Sequence, residues 1–533
     1  MGKKQKNLTF LLICFGLVFL IYGSSLGGSF VFDDRSIVNH QNILSDLNNL
    51  PEVLIMGYWT PEAGLYRPIT LVSYLFNYSF LGSGAGNFHL INLILYALTG
   101  YLLFRLISKL FLKEKWLAYL TSLLFLVLPI HSEVVANIVG RAEILALFFS
   151  LLFFLELVKK ESNPWKAGFW MLLAIGSKET AIAALPIALF IVFYKSRARI
   201  NRKIIVDYLP HALISGLAAL VYFVARWLVL NQYFMMANAS LVENPLKFAS
   251  GSERVATGFK VLFIYFKKTF WPINLCSDYS YNQIPVLTSF LNLESILGLL
   301  ILLFFVLGMI FFLGCWPVLA LGSAFFIFAY LPISNLIFPI GTIAGERLIY
   351  FASVGLCLYL ASALLLLCRF KSKIFRLIFL ILIIGLLVFY GGVSFTRSLD
   401  WLTEKSLFIS AAQCAPNSVL SRSDLATVFY FERKYDLAEQ EALAANQIYD
   451  KYSKGINNLG LIHWKKGEYQ KAKQQYFKAI RNWPPYEGIY ENLFLLYLSQ
   501  GQEEQAIKWL KLFFLDNPES VDSYLKSYGL SGR

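Results

Sequence analysis

Long apolar segments alternate with short polar ones along the first three quarters of the chain. The apolar segments approach the roughly 20 residues that an α-helix needs to cross a bilayer. They recur between Leu8 and about Val393. The pattern predicts an all-α, polytopic membrane domain with about eleven transmembrane helices, centred on residues 8–24, 88–108, 116–130, 143–158, 166–177, 180–194, 207–230, 292–313, 317–337, 347–368 and 374–393.

The pattern changes near Thr396, after which the chain is polar with helical periodicity up to Arg533. Residue pairs of the same type recur 34 positions apart: Asn458 and Asn492, Gly467 and Gly501, Ala472 and Ala506, Pro484 and Pro518. Thirty-four residues is the period of the tetratricopeptide repeat, a pair of antiparallel helices. We therefore expect a membrane domain at 1–396 and an α-solenoid at 397–533, with repeats at about 417–450, 451–484 and 485–518. Such an array binds a protein or peptide, or acts as a rigid cap.

Composition and charge agree with a membrane protein. Of the 533 residues, 57% are hydrophobic and 15% charged, and the mean hydropathy is +0.58, which excludes a soluble globular protein of this size. The net charge of +14 comes largely from alternate loops that carry Lys3, Lys4, Lys6, Lys109, Lys113, Lys115, Lys159, Lys160, Lys166, Lys195, Arg197, Arg199, Arg202, Lys203, Arg369, Lys371, Lys373 and Arg376. This asymmetry predicts a cytoplasmic N-terminus and extracytoplasmic repeats, and it explains the charge without nucleic acid. A cleaved signal peptide at the N-terminus is an alternative that leaves the first loop on the same side.

Two adjacent carboxylates, Asp33 and Asp34, follow the first apolar segment by about a dozen residues. Carboxylates beside a membrane lose hydration energy and repel each other, so such a pair indicates chemistry, ion binding or a fixed loop contact. The charge pattern places the pair outside the membrane. We interpret Asp33 and Asp34 as candidate catalytic residues.

The other loops on this side carry further ionisable residues. Arginine binds phosphate through paired N–H groups, which makes Arg67, Arg141 and Arg347 candidates for binding a donor phosphate. Candidates for shaping the site are His131, Glu133, Glu143, Lys178, Glu179 and Glu346. Each group has a structural alternative, because a histidine can cap a helix and oppositely charged neighbours can form ion pairs that hold helix ends.

Together these residues suit a transferase with a lipid-phosphate donor. A carboxylate accepts the proton of an acceptor hydroxyl, and cations stabilise the charge that develops on the departing phosphate. A groove between apolar helices accommodates the polyprenyl chain.

The sequence resembles the transmembrane and tetratricopeptide-repeat (TMTC-like) O-mannosyltransferases of the GT-C glycosyltransferase superfamily. The resemblance rests on motifs in a fixed order over nearly the whole chain: Phe30-Val31-Phe32-Asp33-Asp34, Tyr66-Arg67-Pro68-Ile69-Thr70, Phe88-His89-Leu90-Ile91-Asn92, Pro129-Ile130-His131-Ser132-Glu133, Val139-Gly140-Arg141-Ala142-Glu143, Ser177-Lys178-Glu179-Thr180 and Gly345-Glu346-Arg347-Leu348-Ile349-Tyr350. The tail has about three repeats, fewer than animal members have, which indicates a bacterial member.

The resemblance implies an inverting transfer of mannose or a similar sugar from a polyprenyl- or dolichyl-phosphate sugar to an acceptor, expected to be a protein hydroxyl. Asp33 would be the base and Asp34 its support. No cofactor is expected, and a divalent metal at Asp33 and Asp34 is the less favoured alternative. The expected setting is a bacterial inner membrane, with the endoplasmic reticulum as the alternative.

Two other functions stay open. A transporter would have ionisable residues in mid-membrane and duplicated helices, whereas the polar residues here lie near helix ends. A non-enzymatic membrane-anchored repeat scaffold would need only one or two crossings.

Overall fold

The computed structural model describes residues 3–59, 63–195, 202–234, 239–368, 372–484, 487–514 and 518–528. Within these ranges the regular structure is helical, with no β-strand. Some predicted features lie outside the described residues: Arg197, Arg199, Arg369 and Lys371 of the charge pattern and repeat positions 485–486 and 515–517.

The chain divides into two compact units. The first consists of residues 1–277 and 286–407, and the second of residues 278–285 and 408–533. The domain boundary predicted at 396/397 lies within one long helix, Lys373–Asp400. A short segment from a loop of the membrane domain, Asp278–Pro285, belongs to the second unit, which the sequence did not indicate.

The described part of the first unit contains seventeen α-helices, joined by short 3₁₀ turns and loops. In chain order they are α1 Lys3–Tyr22, α2 Arg35–Asn39, α3 Gln41–Leu44, α4 Leu50–Ile55, α5 Pro68–Leu81, α6 Ala85–Leu110, α7 Lys115–Val127, α8 Ser132–Ala136, α9 Arg141–Leu157, α10 Pro164–Ser177, α11 Ala184–Lys195, α12 Arg202–Leu230, α13 Gly251–Phe270, α14 Leu293–Cys315, α15 Pro317–Tyr330, α16 Ser353–Leu367 and α17 Lys373–Asp400. Helices α2 to α5 all lie in the long first loop, between α1 and α6.

Six helices within the described residues are long and apolar enough to cross a membrane, namely α1, α6, α9, α12, α14 and α17, and the bent pair α7–α8 would make seven. The other predicted crossings fall on shorter helices, such as α10 with 14 residues and α11 with 12. A 14-residue helix rises about 21 Å, against about 30 Å of hydrocarbon. The structure therefore confirms an all-helical chain with several candidate spans, and the number eleven stays a prediction.

A sharp bend separates α7 from α8. Helix α7 ends at Val127, a short 3₁₀ turn begins at Pro129, and the two helical segments differ in direction by 53°. Proline has no N–H group to continue the hydrogen-bond ladder, which explains why the helix breaks here. The bend directs His131 and Glu133 into the protein interior, where both are buried.

Helices α15 and α16 approach closely at two glycines. A Cβ atom added to Gly355 would lie 2.2 Å from the carbonyl oxygen of Gly322 and 2.9 Å from the backbone nitrogen of Phe326. The absence of side chains at this crossing is what lets the backbones touch. The contact places the start of α16, beside the Glu346–Tyr350 turn, against α15.

The tail contains helix pairs that recur with the sequence period. Its helices are α18 Glu404–Cys414, α19 Val419–Phe431, α20 Tyr435–Ile448, α21 Ser453–Lys465, α22 Tyr469–Asn482, α23 Glu487–Ser499, α24 Glu503–Phe513 and α25 Pro518–Ser527. The starts of α19, α21 and α23 are 34 residues apart, as are those of α20, α22 and α24. Ala438, Ala472 and Ala506 are fully buried at equivalent positions. Gly467 and Gly501 turn the chain between paired helices at φ angles of +79° and +70°, which glycine adopts without strain.

Candidate functional site

The acidic pair lies in a turn with an unusual backbone. Phe32 has a φ of +53°, a left-handed conformation that costs a bulky residue about 1–2 kcal/mol. Phe32 is the first residue of a 3₁₀ turn, Phe32–Asp34, which continues directly into α2. The turn orients the two carboxylates differently, since Asp34 is fully buried and the side chain of Asp33 is 23% exposed.

Asp34 holds two loops together. Its Oδ1 accepts a hydrogen bond from the backbone N–H of Val139 at 2.9 Å. Its Oδ2 accepts from the N–H groups of Val31 at 3.3 Å and Ile138 at 3.4 Å. Burial raises the pKa of Asp34 to about 7, and the three N–H donors oppose that rise. These contacts make Asp34 the residue that fixes the first loop against the turn before α9.

Gly140 explains the shape of that turn. A Cβ atom at Gly140 would lie 2.1 Å from the carbonyl oxygen of Val134, so no larger residue fits this backbone. Asn137 caps the turn by accepting a hydrogen bond from the N–H of Val139 at 3.3 Å. The N–H groups of Ile138 and Val139 therefore face Asp34.

Arg347 joins Asp33 to Glu133. Its Nη1 donates to Glu133 Oε1 at 2.6 Å, its backbone N–H donates to Glu133 Oε2 at 2.9 Å, and its Nη2 lies 3.5 Å from Asp33 Oδ2. Burial raises the pKa of the Asp33 carboxyl, Glu133 adds to the rise, and the Arg347 guanidinium opposes it. Three motifs that are far apart in the sequence thus form one cluster.

Arg67 and Glu179 form a second ion pair. The Nε and Nη2 atoms of Arg67 donate to the two oxygens of Glu179 at 3.1 and 2.8 Å, a paired geometry that fixes both side chains. The guanidinium lies over the ring of Tyr58, 5.0 Å from its centroid. The Arg67 side chain is 12% exposed and that of Glu179 is 28% exposed. The charge of Arg67 also lowers the pKa of Asp33, which places this pair beside the first cluster.

Lys178 and Glu143 form a third, more deeply buried ion pair. The Lys178 ammonium donates to Glu143 Oε1, and the two side chains are 6% and 5% exposed. Because either charge alone would be costly to bury, the pair links the end of α10 to the start of α9. The charges of Arg67 and Arg347 also act on the Glu143 carboxylate, so this pair is coupled electrostatically to the other two clusters.

Arg141 is bound entirely to neutral groups. Its guanidinium donates to the side-chain oxygens of Asn92 at 2.7 Å and Asn77 at 2.9 Å, and to the carbonyl oxygens of Phe88 at 2.8 Å and Ser73 at 3.3 Å. These bonds use four of its five N–H groups, and the residue is fully buried. This geometry favours a structural role over the predicted phosphate binding.

His131 and Glu346 are also held inside the protein. The ring nitrogens of His131 lie 2.9 Å from the hydroxyl of Tyr96 and 2.8 Å from that of Ser353. Glu346 is 1% exposed and its Oε1 accepts a hydrogen bond from the N–H of Cys276 at 2.6 Å. Both predicted site-shaping residues therefore lie behind the site surface rather than on it.

The ionisable groups of the site divide into an acidic side and a basic side, and of these groups Glu133 and Lys178 are buried. The acidic side has Asp33 and Glu133 with a single cation, Arg347. The basic side has Arg67, Lys178 and a residue absent from the sequence prediction, Arg226, which all lower the pKa of Glu179. Little in the sequence points to Arg226, because this residue lies within the long apolar helix α12 and apart from the motifs. The arrangement can accept a proton on one side and bind an anion on the other.

One group of possible metal ligands occurs in the described residues, and it lies in the tail. It consists of Glu439, His463 and Glu468. The ammonium of Lys466 lies 2.6 Å from Glu439 Oε2, and its charge competes with a cation. At the acidic pair, the oxygens of Asp34 already accept backbone hydrogen bonds, which leaves Asp33 as the ligand with access to a metal.

The chain is similar over most of its length to curated proteins named protein O-mannosyl-transferases. A Caenorhabditis elegans protein, F38B6.6, is 28% identical over 437 residues, 80% of this chain and 61% of the relative. Human TMTC1 is 26% identical, with 94% of this chain and 62% of the relative covered. Drosophila melanogaster Tmtc3 is 26% identical, with 91% of this chain and 60% of the relative covered. No family model matches the chain. The matches span about three fifths of the length of these relatives.

Proposed function

We propose that this chain is an integral membrane glycosyltransferase that transfers mannose or a similar sugar to a protein hydroxyl. The similarity to proteins named protein O-mannosyl-transferases supports the reaction class. The observation that carries the proposal is the cluster of Asp33, Arg347 and Glu133, in which one partly exposed carboxylate is held by a cation.

In this proposal Asp33 is the general base. Its pKa is raised by burial, and a carboxylate with a raised pKa accepts a proton more readily than an exposed one. The acceptor oxygen gives its proton to Asp33 and forms a bond to the anomeric carbon. The bond from that carbon to the phosphate oxygen breaks, polyprenyl phosphate leaves, and the configuration inverts. Arg347 orients Asp33 and keeps enough of it ionised.

The donor is a polyprenyl- or dolichyl-phosphate sugar in this proposal. Three features support a membrane-bound donor: the several apolar helices, the loops that meet at their ends, and the cations of the basic side. The loop charges support an extracytoplasmic site. We propose a bacterial inner membrane as its setting, with the endoplasmic reticulum as the alternative. No metal is needed in this proposal, because the cations of the basic side can stabilise the departing phosphate.

The tail would hold the protein acceptor. Its helix pairs begin every 34 residues, and this period supports a tetratricopeptide-type array. Such arrays bind extended peptides in a groove, which suits a protein segment that carries the acceptor hydroxyl.

A transfer assay tests the function. The full chain in nanodiscs is incubated with a panel of polyprenyl-phosphate sugars and Ser- and Thr-containing proteins, and mass spectrometry identifies the modified residue. Empty nanodiscs are the control, and NMR of the glycan gives the anomeric configuration. Transfer with inversion supports the proposal. No transfer from any donor in the panel would favour the scaffold or the transporter.

A further inference from the structure

Arg226 occupies a position in the site that charge pairing alone does not explain. It lies near the end of α12, half-buried, and no carboxylate within the described residues forms an ion pair with it. A cation at the end of a membrane helix has two ordinary explanations, a head-group contact with bulk lipid or a specific anion. The surroundings of Arg226 distinguish between them.

Neutral groups hold Arg226 against the site. Its Nη2 donates to the carbonyl oxygen of Gly64 at 2.7 Å, and its Nη1 donates to the hydroxyl of Tyr222 at 3.5 Å. That hydroxyl donates in turn to the carbonyl oxygen of Tyr66 at 2.9 Å. Arg226 is therefore fixed to the segment that immediately precedes Arg67, and it is not free to extend along the helix surface.

The guanidinium keeps hydrogen-bonding capacity after these contacts. Two of its five N–H groups have acceptors within the described residues, which leaves three for a ligand. Arg67 uses its Nε and Nη2 on Glu179 and keeps its Nη1. Two arginines with unused N–H groups are thus held near one another.

The local charge balance also favours an anion. Burial alone would raise the pKa of Glu179, but the charges of Arg67, Lys178 and Arg226 outweigh burial and lower it well below the usual value. Lys178 is already paired with Glu143. The three cations face two carboxylates, so the basic side carries an excess positive charge that a ligand can neutralise.

The other arginines near the site are less suited to an anion. Arg347 is paired with both Glu133 and Asp33, so an added phosphate would meet two carboxylates there. Arg141 is fully buried, and four of its N–H groups are already bonded.

We propose that Arg226 and Arg67 form a phosphate-binding subsite on the basic side of the site. The assignment of this phosphate to the sugar donor rests on the proposed function. The ligand chemistry is a phosphate ester carried by a lipid, or free phosphate. The charge of Arg67 lowers the pKa of Asp33, so the subsite is coupled electrostatically to the proposed base.

A binding measurement tests the subsite without any transfer reaction. The full chain is placed in phosphatidylcholine nanodiscs, and native mass spectrometry measures the affinity for undecaprenyl phosphate. We expect Arg226→Gln to weaken binding about tenfold or more, because charge-assisted hydrogen bonds to phosphate are lost. Arg226→Lys keeps the charge but not the forked geometry, so its affinity should fall between those of Arg226→Gln and the unsubstituted chain.

Arg105 provides the matched control. It also donates to a tyrosine hydroxyl four residues earlier, that of Tyr101 at 3.0 Å, but it lies in the last turns of α6, far along the helix from the site residue Asn92. Arg105→Gln should bind as the unsubstituted chain does. Equal affinities for Arg226→Gln and Arg105→Gln would overturn the proposal, and so would full competition by phosphatidylglycerol, which would identify a bulk-lipid contact.

Two further measurements are needed. One distinguishes a lipid-borne phosphate from free phosphate, and the other distinguishes failure of the subsite from failure of the proposed function. Displacement of undecaprenyl phosphate by inorganic phosphate would show that the subsite takes phosphate alone, and failure to displace it would show that the lipid chain is required. Asp33→Asn should bind undecaprenyl phosphate normally. If Arg226→Gln binds normally and Asp33→Asn loses transfer, the proposed subsite is wrong and the proposed function stands. If Arg226→Gln binds weakly and Asp33→Asn transfers sugar normally, the proposed subsite stands and the assignment of Asp33 as the base is wrong.

Discussion

The two neighbouring carboxylates have different environments. Asp34 accepts three backbone hydrogen bonds and is fully buried, whereas Asp33 is partly exposed and faces Arg347. The structure therefore separates a residue that fixes a loop from one that can meet a substrate. In the proposed mechanism the base is Asp33, and Asp34 acts through the backbone that it holds.

The cation beside Asp33 should control the pH dependence of transfer. A base acts when deprotonated, so activity rises with pH through its pKa, and Arg347 lowers that pKa. Arg347→Gln removes the charge, raises the pKa of Asp33, and should move the acidic limb of the kcat/KM profile upward by about one pH unit or more. The profile of Arg35→Gln is the control, because Arg35 pairs with Glu404 instead. An unmoved acidic limb in Arg347→Gln would show that Asp33 is not the titrating group.

The sequence predicted some of these residues better than others. The contact of Asp33 and Glu133 with Arg347 was predictable, because opposite charges on loops of one membrane side attract each other. The position of Arg141 was not, because its partners are amide and carbonyl groups that leave no charge signal. Arg226 was not singled out for a related reason. A lone cation near the end of an apolar helix is also common at ordinary ends of membrane helices.

At the scale of elements, breaks in the helices position the site. Pro129 bends the chain after α7, and Gly140 lets the next turn pass close to Val134. The sequence located a helix at every predicted crossing. It could not tell a full crossing from a short buried helix, because apolar composition is similar in both and tertiary packing sets the length.

The close crossing of α15 and α16 should be sensitive to one methyl group. In Gly355→Ala the added Cβ meets the backbone of Gly322, which cannot move aside as a side chain could. We expect a loss of about 1–3 kcal/mol in stability, measured by thermal unfolding in detergent. Gly385→Ala is the matched control, since nothing lies within 4 Å of its added Cβ. Equal melting temperatures for the two variants would contradict the close contact.

At the scale of the whole molecule, the second unit is not a continuous stretch of sequence. Asp278 of the inserted segment accepts hydrogen bonds from the hydroxyls of Ser280 at 2.8 Å, Ser421 at 2.9 Å, and Ser418. Ser418 caps the first helix of the repeating pairs, α19. The segment therefore stabilises the start of the array, which a period search in the tail sequence cannot reveal.

Removal of that carboxylate should loosen the beginning of the array. Asp278→Ala removes the acceptor that three hydroxyls share, so amide hydrogen exchange in α19 should accelerate, with a smaller effect in α23. Asp522→Ala, an exposed aspartate of the same unit, should leave exchange in α19 unchanged. Unchanged exchange in Asp278→Ala would mean that the segment does not stabilise the repeats.

The proposed mechanism depends most directly on Asp33. The decisive measurement is the rate of sugar transfer by Asp33→Asn in nanodiscs at saturating donor, with Asp46→Asn, an exposed aspartate of the same loop, as the control. Loss of a general base lowers the rate about 100-fold to 10,000-fold, so we predict a loss of that size for Asp33→Asn and none for Asp46→Asn. A rate for Asp33→Asn equal to that of the unsubstituted chain would contradict the assignment of Asp33 as the base.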